Sequence, residues 1–226
     1  MQILYEDNHL IIVSKAAGEI IQGDKTGDPS LVDILKAYLK EKYHKPGNVF
    51  LGVVHRLDRP VSGVVVYAKT SKALSRMNAL FREDKVQKVY HAIVEAAPAL
   101  PEAKLIHYLR KNEKQNKSYP VSRTAPGAKE AILTYHTVSQ SDRYTLLEVE
   151  LQTGRHHQIR AQLAANGTII RGDLKYGAHR SLPDGSISLH ARRIIFVHPV
   201  SGKEIDITAP YPEGDRLWQI FETNYH

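Results

Sequence analysis

The sequence predicts an α+β fold built on a mostly antiparallel, mixed central sheet flanked by helices and loops. Three observations carry that reading. From residue 88 onward β-like patterns come in runs, the few helical patterns are inserted among them without strict alternation, and no internal repeat or long linker divides the 226 residues. Strict strand and helix alternation would have argued for a doubly wound parallel sheet. The length supports one large domain with a real core, so residues 1–226 are expected to form a single domain.

HLIIVSK (9–15) has the apolar run of a buried strand, and AAGEIIQGD (16–24) follows as a turn and an extended piece. DPSLVDILKAYLKEKY (28–43) carries apolar residues at 31, 34, 35, 38 and 39, with Ser30 placed as N-cap and Asp33 three residues on. This is an amphipathic helix with a clear start signal. VVVYAK (64–69) is a second buried strand. SKALSRMNALFRED (71–84) is a second helix with an apolar stripe of Ala73, Leu74, Met77, Leu80 and Phe81, read as core packing. Strands then follow at KVYHAIVEA (88–96), LIHYL, ILTYHTV, YTLLEVELQ, HARRIIFVH and EIDITAP. Between them, RHHQIRAQLAAN reads as a helix stopped by Gly167 at the C′ position. DRLWQIFETNY (215–225) suggests a short closing helix. KNEKQNKSYPVSRTAPGAKE (111–130) is polar and proline-bearing, and is expected to be an exposed excursion.

Composition narrows the chemistry. Lys and Arg number 31 against 24 Asp and Glu, for a formal net charge of +7. Such a surface favours phosphate-rich partners, although a solvated basic surface would give the same count. There is no cysteine, which removes disulfides, cysteine zinc sites and thiol nucleophiles. Acidic residues stand where a signal peptide would be basic, and no apolar run approaches the ~20 residues that span a bilayer. A soluble, cytoplasmic protein with no membrane partner is expected.

Three segments concentrate reactive side chains. In HRLDRPVSG (55–63) Pro60 disfavours helix at Arg59, so Asp58 sits on an irregular loop between Arg56 and Arg59. Two readings stand side by side: a turn aspartate whose arginines face water, or a carboxylate held ionised and thus suited to act as a nucleophile. LQTGRHHQIRAQL (151–163) runs from a strand end into a helix whose first N–H groups and dipole would bind an anion. Helical spacing places Arg160 on the side of His156 and His157. Adjacent histidines diverge by ~100° on a helix and chelate one metal poorly, and no HExxH or cysteine partner is present, so no metal site is expected. In KVYHAIV, alternation puts Lys88 and Tyr90 on one face. Tyr90 is either core filler or a ring for stacking on a nucleobase.

Taken in order, HRLDRPVSG with VVVYAKT, KVYHAIV, and LQTGRHHQIRAQLAANGTIIRGDLKYG resemble the aspartate, tyrosine and arginine motifs of the RluA-type RNA pseudouridine synthases. ILYEDNHLIIVSKAAG resembles that family's opening segment, and SLHARRIIFVHPVSGKEIDITAPYP its C-terminal block. Five motifs in order over about 200 residues are a specific signal. The resemblance implies the pseudouridine synthase fold with a central RNA-binding cleft. It also implies a cofactor-free isomerase that breaks the N-glycosidic bond of a uridine in ribosomal or transfer RNA, turns the base, and rejoins it through carbon.

By the same resemblance Asp58 is the essential aspartate, attacking the anomeric carbon or triggering a glycal route. Tyr90 packs on the target base, and Arg160 pairs with the aspartate. Arg56 is implied to enter the space left by the flipped base, which offsets part of the few kcal/mol that extrusion costs. Leu189 is implied to wall the base pocket, while Arg155, His157 and Lys88 are phosphate or fold-supporting contacts. Two positions depart from the family: Val61 replaces threonine, and Ala16 replaces proline. Many relatives carry an N-terminal S4-type domain. Here the opening strand begins at the third residue, so the catalytic domain alone is expected; a monomer is the default, with RNA and not DNA as partner. A catalytically silent RNA-binding relative and a metal-dependent phosphodiesterase are the competing classes. The first is opposed by intact Asp58, Tyr90 and Arg160, the second by the missing ligand set.

Overall fold

A computed structural model describes residues 2–23 and 27–223. The chain forms two compact units, each assembled from two segments: Met1–Val86 with Arg193–Pro210, and Gln87–Arg192 with Tyr211–His226.

In the first unit, β1 (Gln2–Glu6) and β2 (Leu10–Lys15) form a hairpin. Asp7 closes it: its Oδ1 accepts the backbone N–H of His9 and of Leu10, each at 2.7 Å. β2 pairs antiparallel with β4 (Ser62–Ala68), which also carries the short β3 (Gly52–Val53). The unalternating run LIIVSK is explained by burial of both faces. Leu10 and Ile12 pack with Val64, Val66 and the Ala73–Met77 stripe of α2 (Ser71–Arg82). Ile11 and Val13 pack with Val65, Tyr67 and Leu31, Leu35 and Leu39 of α1 (Leu31–Lys42). Each such side chain withdrawn from water stabilises by roughly 1.5–3 kcal/mol. α1 begins with the expected Ser30 cap, completed by Asp33 into a reciprocal capping box. The later part of β10 (Leu189–Val197), from Arg193, pairs with β11 (Glu204–Thr208) and adds Ile194, Phe196 and Ile205 to the α2-side core.

The second unit is an antiparallel sheet in the order β5 (Gln87–Val94), β9 (Thr145–Leu151), β8 (Lys129–Gln140), β6 (Glu102–Asn112), β7 (Lys117–Val121). It also holds α3 (Gln158–Ala165), a 3-10 turn at Leu174–Tyr176, and α4 (Arg216–Thr223). The strand runs and inserted helices are those of the expected α+β class.

Two expectations change. The 111–130 stretch is largely exposed as expected, but it is regular rather than irregular: it contains β7, paired with β6 over Tyr108 to Asn112. Its polar sequence fits an edge strand, where Pro120 needs no ladder partner for a missing N–H. The helix expected from Arg155 begins only at Gln158, because His157 adopts a left-handed backbone (φ +52°) that interrupts it. Its end is as expected, at a left-handed Gly167 (φ +76°). Residues 224 and 225 of the expected closing helix lie outside the described residues, as does Asp24 of the 16–24 segment. Among the described residues no helix is long and apolar enough to cross a membrane.

Candidate active site

Asp58 lies on the irregular connection between β3 and β4, half-buried, with Leu57 before it packed into the α1-side core. A tight turn follows, in which Val61 N–H donates to the Asp58 carbonyl at 3.0 Å. Gly63, the second residue of β4, has φ +118°, a backbone region that favours glycine. The loop is tied down by Lys15, the last residue of β2, which is 1% exposed. Its ammonium donates to the carbonyls of Ala16 (3.0 Å), Arg59 (3.0 Å) and Val61 (2.6 Å). Burial pulls Lys15 down to about 8, while the negative charges of Glu19 and Asp58 act to hold its proton.

Arg59 does not turn toward Asp58. It donates from Nε to the Gly18 carbonyl and from Nη2 to Asp28, at 3.1 and 2.7 Å, and the Gly18 N–H returns a bond to the Arg59 carbonyl. The 16–18 and 58–61 loops are thereby stitched together. Arg56 is exposed. Val61, one of the two departures, is 2% exposed, so its methyl groups serve the core; Ala16, the other, is exposed.

In the second unit, Lys88 and Tyr90 share one face of β5 and are both half-buried, whereas Ala92 and Val94 farther along that face are fully buried. Lys88 extends over the Thr153-Gly154 turn, its Nζ 3.9 Å from the place a β-carbon on Gly154 would occupy. Arg155 is exposed and donates through Nε to the Glu130 carbonyl at 2.8 Å. Its N–H, one of the donors expected to face an anion, is instead taken by Gln158 Oε1 at 2.9 Å, which also accepts from Thr153. Leu189 opens β10 and is 4% exposed.

Arg160 is 5% exposed and forks onto Asp173, with Nε to Oδ2 at 2.7 Å and Nη2 to Oδ1 at 2.8 Å. The third corner, Nη1, lies 3.2 Å from His157 Nε2, and the guanidinium carbon sits 5.1 Å from the centre of the Tyr176 ring. A buried guanidinium needs such neighbours, because an unpaired charge there would cost several kcal/mol. His156 and His157 do not fan out. With His157 left-handed, the two rings stack at 3.8 Å and 17°. Among the described residues no cluster of His, Asp or Glu is spaced to hold a metal ion.

Residues 9–165 match the RNA pseudouridylate synthase family. The chain is 32% identical to the ribosomal large subunit pseudouridine synthase D of Zymomonas mobilis over 96% of its own length and 71% of that protein. It is 34% identical to the ribosomal large subunit pseudouridine synthase C of Vibrio cholerae over 92% of its length and 65% of that protein. The chain thus spans about two thirds of the length of these relatives. It belongs to the RluA-type RNA pseudouridine synthases. Its fold agrees: human RNA pseudouridylate synthase domain containing 4 superposes with a TM-score of 0.79 at 24% identity, over 99% of this chain and 92% of that one.

For a pseudouridine synthase, the structure adds residues that the sequence left without a role. Lys15 stood in the quoted opening segment and Asp173 and Tyr176 in GDLKYG, but nothing in their spacing to Asp58 or Arg160 announces a contact. A lysine closing an otherwise apolar strand was the one available signal for Lys15. His157 was read as a phosphate or fold-supporting contact. It is 8% exposed with both ring nitrogens engaged inside the protein, which favours the second role.

Proposed function

We propose that this pseudouridine synthase isomerises specific uridines in structured RNA through attack by Asp58, in the cytoplasm and without a cofactor. The observation that carries the reading is the built character of the Asp58 loop: a buried lysine spends all three of its N–H donors on the backbone that presents the carboxylate. Fixing a nucleophile in this way supplies orientation before substrate arrives. In the reaction, bond formation between the Asp58 carboxylate and the ribose anomeric carbon, or elimination to a glycal, breaks the N-glycosidic bond and releases uracil with the electron pair on its ring nitrogen. The turned base then bonds the anomeric carbon through its ring carbon, displacing the carboxylate or adding to the glycal, and the proton on that ring carbon is lost while the freed ring nitrogen takes one up.

Tyr90, half-buried on β5 beside Lys88, offers a ring against the flipped base, and Arg160 supplies the positive charge that accompanies the aspartate. Exposed Arg56 is free to follow the base out of the RNA and occupy its place, and Leu189 contributes an apolar wall. Lys88 and Arg155 serve the phosphates. Ribosomal RNA is the favoured target over transfer RNA, since the compared relatives are named for the large ribosomal subunit.

The deciding experiment uses RNA tritiated at the uracil carbon that exchanges its proton. With Asp58→Asn, tritium release is expected to vanish while RNA affinity stays within a few-fold of wild type. Measurable turnover by that variant would refute the nucleophile assignment, and loss of wild-type activity in EDTA would refute the cofactor-free reading. Comparing pseudouridine maps of total RNA from cells with and without the gene identifies the target.

A further inference from the structure

Arginine only donates, so the Nη1 contact of Arg160 makes His157 Nε2 an acceptor and puts the single proton of a neutral imidazole on Nδ1. That N–H faces the Tyr176 hydroxyl at 3.0 Å. The hydroxyl in turn donates to the Ser118 carbonyl at 3.1 Å and accepts the Ser118 N–H at 2.9 Å. Donors thus follow one another from Arg160 through His157 and Tyr176 to the Ser118 carbonyl, and the Ser118 N–H returns a bond to the Tyr176 hydroxyl. Burial and the adjacent Arg160 charge push His157 down to about 2, so it keeps its lone pair at any physiological pH. A charged imidazole would have no lone pair for Arg160 and would repel it.

Ser118 belongs to β7, so the bonds end in the β6–β7 hairpin. Its tip is held to the same cluster a second time. His156, stacked on His157, bonds Ser118 Oγ at 2.9 Å and Asn116 Oδ1 at 3.1 Å, and Lys175 donates to the Asn116 carbonyl at 3.1 Å. Lys117, on the hairpin, places its ammonium 4.8 Å from the centre of the Tyr176 ring, the ring that also carries Arg160. The hairpin bears Lys111, Lys114 and Lys117 within seven residues, a concentration of charge suited to an RNA backbone.

We propose that His157 and Tyr176 are positioning residues that set the guanidinium of Arg160 for the reaction and couple it to the β6–β7 hairpin. The inference rests on the reading that Arg160 serves the chemistry. Two substitutions at His157 separate positioning from mere structure. His157→Asn tolerates the left-handed backbone but cannot reach Arg160 with an acceptor. His157→Gln strains that backbone, yet can place its Oε1 where Nε2 stood.

Positioning therefore predicts that Asn lowers kcat about tenfold or more with KM and RNA affinity within about twofold, and that Gln recovers most of kcat despite a lower Tm. A purely structural role predicts the reverse order, with Gln the worse enzyme, and that order would overturn the proposal. Tyr176→Phe keeps the ring beneath Arg160 and removes only the hydroxyl. It is expected to lower kcat several-fold at unchanged KM, and it decides the matter if His157→Asn does not fold; a wild-type kcat there removes the coupling to the hairpin. Arg160→Gln is the reference. If it turns over normally, the reading beneath the inference fails. If it is inactive while folded His157→Asn matches wild type, the inference alone fails.

Discussion

Lys15 shows how much one side chain can carry. An ammonium that is 1% exposed would ordinarily be expelled from a core, yet here three carbonyls from two loops converge on it. Those carbonyls, two of them in the stretch that follows Asp58, have their bonds to Lys15 in place of bonds to water. In Lys15→Met they lose that donor while the aliphatic volume is kept. The expected result is a loss of about 2–4 kcal/mol in urea unfolding with a fall in turnover beyond what the unfolded fraction accounts for. A variant that keeps wild-type kcat would show that the Asp58 loop holds its shape without the lysine. Asp58 itself, half-buried before the tight turn closed by Val61, was legible from HRLDRPVSG as an irregular loop carboxylate. The redirection of Arg59 to Gly18 and Asp28 was not, because nothing local distinguishes an arginine facing its neighbour from one bridging to a loop forty residues earlier.

At the scale of elements, the amphipathic patterns located α1 and α2 with their buried stripes, since a 3.6-residue period and a Ser-x-x-Asp cap are properties of local sequence. α3 was legible in its body and its Gly167 stop but not in its start. RHHQIR fits a helix from Arg155, and only the packing of His157 against Arg160 and Tyr176 makes the left-handed turn worthwhile. That entry has a measurable signature in pH. His157 is held neutral in the folded chain down to about pH 2, whereas an unfolded histidine takes a proton below about 6.5. Between those values the unfolded state binds more protons, so stability is full above 6.5 and is lost as the pH falls. Urea unfolding of wild type and His157→Asn at pH 7, 6 and 5 is expected to show a slope steeper in wild type by up to about 1.4 kcal/mol per pH unit. Equal slopes would mean that His157 accepts a proton in the folded state. The polar β6–β7 stretch was legible as exposed but not as a strand, for a similar reason: an edge strand needs little apolar surface, and its pairing partner lies in β6.

For the whole molecule, the net charge of +7 and an RNA substrate class make binding a matter of counterion release. Affinity for a structured RNA is expected to fall by about a hundredfold or more between 50 and 200 mM salt, with log K linear in log salt. A flat response in a filter-binding or fluorescence titration would point to some other kind of partner. Both compact units draw on segments far apart in the chain, the later part of β10 and β11 returning to the first and α4 to the second. No composition shift marks such a division, because it follows from contacts made at long sequence separation.

By itself, then, the sequence determined the α+β class, the two amphipathic helices, the strand runs and the ordered motifs by which the family is recognised. These are written in local periods, caps and short fixed spacings, where neighbouring residues decide the outcome. Only the tertiary structure decided which groups surround the candidate site residues: Lys15 under the Asp58 loop, and Asp173, His157 and Tyr176 around Arg160. The physical reason is that a buried charge is tolerated only where donors and acceptors from several strands and turns converge on it, and convergence in space leaves no regular mark along the chain.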